Sequence, residues 1–353
     1  MAGGTGGHVF PALAVADALR RQGVEVSWMG TRQGLEARLV PQAGYPVEWI
    51  SVTGLRGKGL VNWLTAPGRL WRAIAEAREA MARVAPHAVL GMGGFASGPG
   101  GLAAWLAGRP LVIHEQNSIP GLTNRLLARL AQRVLAAFPN AFPNYPEAVC
   151  TGNPVRPEIA ALPPPEERLA GREGPYHLLI LGGSQGAAAL NQGIPAALAL
   201  LPAENRPQVL HQAGERHLEQ TTMAYREAGV DGQVAAFLPD MAGAYHWADL
   251  VVCRAGALTV AELAAAGVAS VLIPFPHAVD DHQTHNACFL VDQGAALLLP
   301  QEELTPRRLA GLLGNLGREP ERRLAMARRA RALAQPLATE EVACHLLAVM
   351  TSP

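Results

Sequence analysis

Two glycine-rich turns, about half a chain apart, constrain this fold more than any other feature of the sequence. The first covers residues 3–8 (GGTGGH) and the second covers residues 182–186 (GGSQG). Each opens an Ala- and Leu-rich stretch, at residues 12–22 and 187–200. Glycine lets the backbone adopt positive φ and approach a ligand closely, and the helix that follows directs free N–H groups at an anion. The turns therefore predict two strand–turn–helix units that bind anionic ligands, and two tight turns without a ligand are the alternative.

Short apolar segments alternate with helical segments along the whole chain. The strands are predicted at residues 24–29, 88–90, 111–114, 177–181, 250–253 and 269–273, and further helices at 64–84, 258–266 and 283–293. This alternation indicates an α/β fold with parallel sheets covered by helices on both faces. The Pro-rich residues 151–165 place a domain junction near Arg156. We therefore expect two doubly wound domains, residues 1–156 and 157–336, that face each other across a cleft.

Composition excludes several classes of protein. Among 353 residues 49% are hydrophobic, which excludes intrinsic disorder. Lys+Arg and Asp+Glu both number 29, so no basic excess indicates a nucleic-acid partner. The four cysteines are far apart and fit neither a disulfide framework nor a zinc site. No signal peptide or membrane span is evident, because the most apolar stretch, residues 263–276, is too short. These features predict a cytoplasmic protein and leave a peripheral membrane contact open.

The first glycine turn begins unusually early. Only Met1 and Ala2 precede it, although a phosphate-binding glycine turn normally follows a strand. We therefore expect the first sheet to lack a central strand and to be destabilised, through either a late start or a truncation of the sequence.

The turns do not match the common nucleotide-binding motifs. Neither fits GxGxxG and neither carries the GK[ST] of a P-loop, which disfavours generic dinucleotide binding. His8 follows the first turn at the mouth of a helix, with Pro11 expected near its first position. A neutral imidazole there is a candidate general base toward an alcohol. A histidine that only caps the loop is the alternative.

Three further clusters are candidate ligand contacts. Residues 91–99 form a glycine-rich loop with room for a pyrophosphate, or a flexible turn. Residues 114–117 and 121–125 bring polar side chains to the end of a predicted strand. Their carboxamides are candidates to hydrogen-bond sugar hydroxyls, and a solvated strand end without a ligand is the alternative. Within residues 254–262, the carboxylate of Glu262 is a candidate hydrogen-bond partner for a ribose diol. The alternative is a carboxylate that is placed there only because the helix dipole favours negative charge near a helix N-terminus.

Residues 277–286 contain three His and two Asp, but their spacing matches no metal motif, so no metal is expected. Gln283 and Asn286 are interpreted as sugar contacts instead.

Residues 56–83 combine arginines with Leu64, Trp71 and Ile74. This combination suits an anionic membrane surface, and an amphipathic helix packed on the sheet is the alternative.

Together these motifs resemble the MurG family of N-acetylglucosaminyltransferases. The matching segments are GGTGGHVFPALAVA, GLRGKG, GMGGFASGPGGLAAW, HEQNSIPGLTNR, TGNPVR, GGSQGAAALNQ, CRAGALTVAELAAAG and HQTHNA. The resemblance implies a GT-B glycosyltransferase with two Rossmann-like domains, the second holding most of the donor. It also implies that a C-terminal helix, within about residues 337–353, belongs to the first domain.

The resemblance implies a role for individual residues. Thr5, Gly6, Gly7 and Asn117 would border the donor sugar and phosphate, and Arg156 and Ser184 would lie by the diphosphate. The backbone at Leu238 would meet the uracil, Glu262 the ribose and Gln283 the sugar hydroxyls. The donor loop would comprise Leu258, Thr259, Val260, Ala261, Glu262 and Leu263, and the further candidates for substrate binding are Asn124, Asn191 and Arg254.

The reaction implied is inverting transfer of N-acetylglucosamine from UDP-N-acetylglucosamine to the 4-hydroxyl of the muramoyl sugar of lipid I, which gives lipid II. His8 is the expected base, with Glu115 second, and the helix opening at Ser184 would stabilise the departing diphosphate without a metal or cofactor. Lipid I would arrive from the anionic inner membrane near Leu64, Trp71, Ile74 and Trp105. Another UDP-sugar enzyme, such as an epimerase or a natural-product glycosyltransferase, is the nearest alternative. A nicotinamide oxidoreductase and a non-catalytic UDP-sugar sensor are more distant ones.

Overall fold

The computed structural model of the chain describes residues 1–52, 60–183 and 186–351. The chain divides into two compact units, Met1–Arg156 with Pro336–Pro353, and Pro157–Gln335. The elements up to the division are α1 (Gly6–Arg21), β1 (Trp28–Gly30), α2 (Glu36–Gln42), β2 (Val47–Trp49), α3 (Leu60–Val84), β3 (Val89–Gly91), α4 (Ser97–Leu106), β4 (Leu111–Glu115), α5 (Leu122–Leu127), β5 (Arg133–Ala136) and β6 (Val149–Cys150).

The second unit follows, and the last helix of the chain belongs to the first unit. Its elements and that helix are α6 (Pro157–Ala160), α7 (Pro165–Arg168), β7 (His177–Leu181), α8 (Ala188–Ala199), β8 (Gln208–Gln212), α9 (Leu218–Glu227), β9 (Gln233–Ala235), α10 (Met241–Trp247), β10 (Leu250–Cys253), α11 (Ala257–Ala266), β11 (Ala269–Leu272), α12 (His282–Val291), β12 (Ala296–Leu298), α13 (Pro306–Arg318), α14 (Pro320–Ala332) and α15 (Ala338–Thr351).

The second unit is built on a six-stranded parallel sheet in the order β12-β11-β10-β7-β8-β9. Strands β7 and β10 are adjacent in space, although two strands separate them in the sequence. The order therefore reverses between β7 and β10, and ligands of doubly wound sheets bind outside the carboxyl ends of the strands at such a point. The second glycine turn follows β7 and the segment from Arg254 follows β10, so the topology brings these two candidate loops together.

The parallel sheet of the first unit is in two pieces. Strands β1 and β2 pair with each other, and β3 to β6 form a separate four-stranded sheet. Met1 lies beside β3, because its amino group donates to Leu90 O at 2.7 Å and its carbonyl accepts from Met92 N at 2.8 Å. A cavity of about 750 Å³ is lined by Met1, by residues of β1 and β3, and by α1 and α15. The described residues thus contain no complete strand between β1 and β3, as the sequence predicts.

Helix α15 completes the core of the first unit. Val342, Ala343 and Leu346 are buried in one cluster with Val9 and Val15 of α1. The helix that closes the chain therefore covers the same helix that the first glycine turn opens. Among the described residues no helix is both long and apolar enough to cross a membrane.

Two local predictions are wrong. Helix α1 begins at Gly6, so Pro11 lies inside it instead of near its first position. The missing N–H of Pro11 leaves one carbonyl of the first turn without its helical donor. The strand predicted at residues 24–29 begins only at Trp28, where Trp28 N donates to Pro46 O and pairing with β2 starts.

Candidate active site

The first glycine turn leads into the start of α1, where the first backbone N–H groups have no acceptor within the helix. Gly4 has φ +90°, and Thr5 is extended (φ −108°, ψ 162°) at the N-cap. Thr5 O accepts from His8 N and Val9 N, which closes the first turn of the helix. The N–H groups of Gly6 and Gly7 precede this closure, and the first turn carries no acidic residue. These are the features of a helix N-terminus that binds an anion.

A buried carboxylate holds this turn in place. Glu36 is fully buried and accepts hydrogen bonds from Gly4 N at 2.9 Å, Thr31 N at 3.0 Å and Thr31 Oγ1 at 2.7 Å. Gly3 and Gly34 lie so close that a Cβ at either would overlap the carboxylate. The sequence does not single out Glu36, because one glutamate near the start of a short helix carries no signal of burial.

The glycine loop after β3 packs against the first turn. Gly94 has φ +81°, and a Cβ there would lie 2.2 Å from Gly3 O. Gly93 has φ +88°, and a Cβ there would lie 2.6 Å from His8 Nδ1. The hydroxyl of Ser97 donates to Gly93 O at 2.7 Å and fixes the loop from the other side. Glycine is therefore required at residue 94 for the approach of two backbones, and at residue 93 for the approach of the His8 imidazole.

His8 stands at the end of a line of hydrogen bonds. Its Nδ1 lies 2.8 Å from Gln116 Oε1, Gln116 Nε2 lies 3.1 Å from His114 Nδ1, and His114 Nε2 lies 2.9 Å from Gly152 O. His114 and Gln116 are buried, whereas His8 is half-buried. Burial lowers the pKa of His114 to about 4, so this imidazole is neutral at pH 7.

The carboxylate of Glu115 is fully engaged inside the unit. Its Oε1 accepts from the backbone N and from Nδ2 of Asn117, and its Oε2 accepts from Gly121 N and from Asn124 Nδ2. Glu115 is only 2% exposed. These contacts fix the loop after β4 and argue against the role of alternative base. His8 is the better-placed candidate.

The polar side chains after β4 are mostly turned inward. The sequence predicts that residues 114–117 face a ligand, yet His114, Glu115 and Gln116 are all buried and only Asn117 is half-buried. Asn124 is buried as well, and its Nδ2 donates to His114 O and to Glu115. The prediction of a row of sugar-reading carboxamides is therefore wrong for Gln116, which links two imidazoles instead.

In the second unit the glycine turn rests on a buried polar cluster. A Cβ at Gly186 would lie 2.1 Å from Ala213 O, the carbonyl to which Asn191 Nδ2 donates at 3.0 Å. Asn191 Oδ1 faces His211 Nε2 at 3.0 Å. Asn191 is buried, so its amide positions the turn from beneath. Ser184, expected beside the diphosphate, lies outside the described residues.

Helix α11 carries the candidate donor loop. The side chains of Val260 and Leu263 are buried in the core, so a ligand can meet them only through their backbone. Leu258, Thr259 and Ala261 are partly exposed. Glu262 is buried, and its Oε2 accepts a hydrogen bond of 3.1 Å from the hydroxyl of Tyr245. The sequence does not reveal this partner, because Tyr245 lies 17 positions earlier in the chain.

The remaining candidates lie around the same strand ends. Arg254 donates to Ile273 O, Pro274 O and Gln301 Oε1, and its guanidinium lies over the ring of Phe275. Gln283 Oε1 accepts from Phe275 N at 2.9 Å. Arg254 and Gln283 thus hold the loop that follows β11.

Two candidates lie further along the chain from these strand ends. Leu238 is buried shortly before α10. Arg156 is the last residue of the first unit's opening segment, and its guanidinium lies 5.3 Å from the ring centroid of Phe10.

Three neighbouring helices of the first unit expose apolar side chains. Trp71 on α3 is 71% exposed and Trp105 on α4 is 51% exposed, whereas Ile74 is only half-exposed. Helix α4 packs against both α3 and α5. The exposed members of this apolar surface are Leu70, Trp71, Trp105, Leu106, Leu122 and Leu126. The side chain of Leu64 lies outside the described residues.

Comparison with known families assigns the chain. Residues 1–136 match the glycosyltransferase family 28 N-terminal domain, and residues 177–342 match the C-terminal domain of the same family. The chain belongs to glycosyltransferase family 28. This confirms the α/β GT-B fold and the glycosyltransferase class that the motifs imply.

The relatives are similar over nearly their whole length. A protein of Nitrosococcus oceani, named UDP-N-acetylglucosamine--N-acetylmuramyl-(pentapeptide) pyrophosphoryl-undecaprenol N-acetylglucosamine transferase, is 60% identical over 99% of this chain and 97% of its own. A protein of Marinobacter nauticus with the same name is 55% identical over 98% and 96%. The crystal structure of MurG from Acinetobacter baumannii is 44% identical, with a TM-score of 0.84 over 99% of this chain and 98% of that one. The resemblance to the MurG family is confirmed.

More distant structures share only the fold. The UDP-N-acetylglucosamine 2-epimerase of Neisseria meningitidis, bound to UDP-N-acetylglucosamine, has a TM-score of 0.68 at 13% identity. The calicheamicin glycosyltransferase CalG4 has a TM-score of 0.67 at 18% identity. Family 28 therefore shares its architecture with enzymes of other activities, and the fold alone does not select the reaction.

Proposed function

We propose that the chain transfers N-acetylglucosamine from UDP-N-acetylglucosamine to the 4-hydroxyl of the muramoyl sugar of lipid I, forming lipid II with inversion at the anomeric carbon. The observation that carries the proposal is the identity of 55–60% over nearly the full chain with relatives named for this transfer. The chemistry needs a base for the attacking hydroxyl and stabilisation for the departing diphosphate.

The first unit supplies the base. His8 is half-buried beside the N–H groups of Gly6 and Gly7 at the start of α1, and its Nδ1 is occupied by Gln116. Its other ring nitrogen is the atom that would take the proton of the hydroxyl. Thr5 is the N-cap residue of α1, Gly6 and Gly7 are its first residues, and Asn117 follows β4. All four are proposed to border the donor sugar and phosphate.

The second unit binds the nucleotide at the reversal of strand order between β7 and β10. Glu262, oriented by Tyr245, is proposed to accept hydrogen bonds from the ribose diol. The backbone of residues 258–263 and of Leu238 would enclose the uridine, and Gln283 would read the sugar hydroxyls. Arg156 and Ser184 are proposed to lie by the diphosphate. Asn191 and Arg254 support the loops from beneath.

The apolar surface of α3 to α5 is proposed to rest on the anionic inner membrane and to receive lipid I. Arg69, Arg72, Arg78, Arg125 and Arg129 lie on or beside these helices. Exposed tryptophan and leucine next to arginine suit the interface of an anionic bilayer. Sedimentation with anionic and with zwitterionic vesicles tests this: replacing Trp71 and Trp105 by Ser should reduce binding to the anionic vesicles, whereas Met223→Ser on α9 should not.

A transfer assay tests the reaction itself, with radiolabelled UDP-N-acetylglucosamine and a short-chain lipid I analogue. We expect His8→Ala to lower kcat about 10²–10⁴-fold, and Glu262→Gln to raise the KM for the donor. His87→Ala replaces an exposed histidine of the same unit and should leave both unchanged. A UDP-sugar epimerase is the second candidate, and release of an epimerised sugar without acceptor would favour it. No transfer by the unaltered chain would refute the proposal.

A further inference from the structure

The line of hydrogen bonds behind His8 has a fixed direction, and the direction is set at its far end. Gly152 O is a backbone carbonyl, which can only accept a hydrogen bond. It lies 2.9 Å from His114 Nε2, so His114 must carry its proton on Nε2. His114 has a pKa of about 4 because of its burial, and is therefore neutral at pH 7. Its Nδ1 then has no proton and must accept.

The orientation of Gln116 follows from this. His114 Nδ1 accepts, so the group that faces it at 3.1 Å must be the amide nitrogen of Gln116. The same nitrogen lies 3.3 Å from His114 O, another group that only accepts. Both contacts place Nε2 of Gln116 toward His114. The opposite end of the amide, Oε1, therefore faces His8.

The protonation of His8 is then determined as well. Gln116 Oε1 is an acceptor and lies 2.8 Å from His8 Nδ1, so this nitrogen must carry the proton. A neutral His8 consequently has its lone pair on Nε2. Gly93 packs directly on the contact, because a Cβ there would meet both His8 Nδ1 and Gln116 Oε1 within 3.3 Å. No side chain larger than hydrogen fits at this position beside the bond.

We propose that Gln116, itself held by His114, is a positioning residue that fixes His8 in the tautomer with a free Nε2, so that Nε2 is the proton acceptor in catalysis. The inference rests on the proposed function, because it assumes that His8 is the base. Removing the acceptor at residue 116 leaves both tautomers accessible, and only one of them presents a lone pair to the attacking hydroxyl. Neither Gln116 nor His114 needs to touch the substrate for this.

Two measurements test the tautomer and its use. Nitrogen NMR of the full chain labelled at histidine should show a protonated Nδ1 and an unprotonated Nε2 for His8 at pH 7.5, with the signals assigned by His8→Ala. In Gln116→Met, which is close in size but has no donor and only the weak acceptor of a thioether, this signature should become mixed. We expect kcat to fall about 10–100-fold, by analogy with the loss of the hydrogen-bond partner that orients a metal-bound imidazole, while the KM for the donor stays within about twofold.

Two further variants separate positioning from folding. Gln116→Glu keeps an acceptor for Nδ1 of His8, and its second oxygen can face Nδ1 of His114 only as the O–H of a protonated carboxyl. In that neutral form the variant should retain the tautomer of the unaltered chain. Gln132→Met makes the same replacement at an exposed position of the first unit and should leave spectrum and kcat unchanged. If Gln116→Met fails to fold, the nitrogen spectra of Gln116→Glu and of the unaltered chain still test the tautomer of His8.

The possible failures are distinguishable. A protonated Nε2 at His8 in the unaltered chain, or a Gln116→Met variant with unchanged tautomer and kcat, overturns the inference. Full transfer activity in His8→Ala, with the tautomer as expected, overturns the proposed base and the catalytic use of the tautomer together. It leaves the direction of the hydrogen bonds intact.

Discussion

Acid should destabilise this protein well above the pH at which carboxylates titrate, because two histidines are buried in neutral form. His114 in the first unit and His211 in the second are both fully buried. Burial lowers the pKa of His114 to about 4 and that of His211 to about 3. In the unfolded chain both return to about 6.5. Below pH 6.5 the unfolded state therefore binds protons that the folded state excludes.

The magnitude follows from the linkage of protonation to folding. Each such histidine lowers the free energy of unfolding by about 1.4 kcal/mol per pH unit between pH 6.5 and its folded pKa. From pH 6.5 to pH 5 this is about 2 kcal/mol for each, or about 4 kcal/mol for the pair. The whole stability of a protein is typically about 5–15 kcal/mol. The buried amino group of Met1, with its pKa lowered by burial to about 5, adds a loss of the same sign between pH 8 and pH 5.

Urea denaturation between pH 8 and pH 5 measures the effect, and the variants isolate the histidines. His114→Asn and His211→Asn should each be less stable at pH 8. Each should also lose about 2 kcal/mol less than the unaltered chain between pH 6.5 and pH 5. The Met1 amino group is present in all these proteins and cancels in the comparison. His87→Asn, at an exposed position, should follow the unaltered chain. A pH dependence that is the same in all four proteins would refute the reasoning.

Three other changes test the first glycine turn and the sheet beside it. Glu36→Ala leaves three donors without their acceptor and should lower the free energy of unfolding by about 3–5 kcal/mol in urea denaturation, whereas a loss below about 1 kcal/mol would contradict the buried clamp. Gly94→Ala forces a Cβ against Gly3 O and should lower Tm and transfer activity together, while Gly121→Ala, with open space around it, should change Tm little. Four or five alternating Val and Ile residues added before Met1 should raise Tm by pairing with β3 and filling the cavity, and an added Gly/Ser segment of equal length should not.

The sequence predicts the second sheet well, and the reason lies in its strands. Residues 178–181 and 250–253 are continuous apolar runs because helices cover both faces of the sheet. Such runs can be recognised as buried strands from the sequence alone. The strand order follows less directly. Only the finished sheet shows β7 beside β10, which is the contact that brings the glycine turn and the segment from Arg254 to one place.

The candidate site is predicted less completely, because burial of polar groups has no sequence signature. Glu115 appears in the sequence as a second candidate base, yet the structure surrounds its carboxylate with four donors. Gln116 appears as a sugar contact and is instead enclosed between two imidazoles. Glu36 and Tyr245 are not singled out at all. The partners of Glu115 are local, but the sequence does not show that they enclose its carboxylate. The contacts of Glu36, Gln116 and Tyr245 join separate elements of the fold, and the spacing of residues along the chain does not report them.

The two buried histidines belong to similar lines of hydrogen bonds, but the two lines serve different purposes. In the second unit Asn191 Nδ2 donates to Ala213 O, so the oxygen Asn191 Oδ1 faces His211 Nε2 and must accept a hydrogen bond from it. His211 Nδ1 then accepts from the hydroxyl of Tyr225, and this line of hydrogen bonds ends in the core. In the first unit the corresponding line ends at His8, which is half-buried. A backbone carbonyl fixes the direction in both units. Only the line that reaches a half-exposed imidazole can deliver a lone pair to a substrate, which is why we place the base in the first unit and assign His211 to folding.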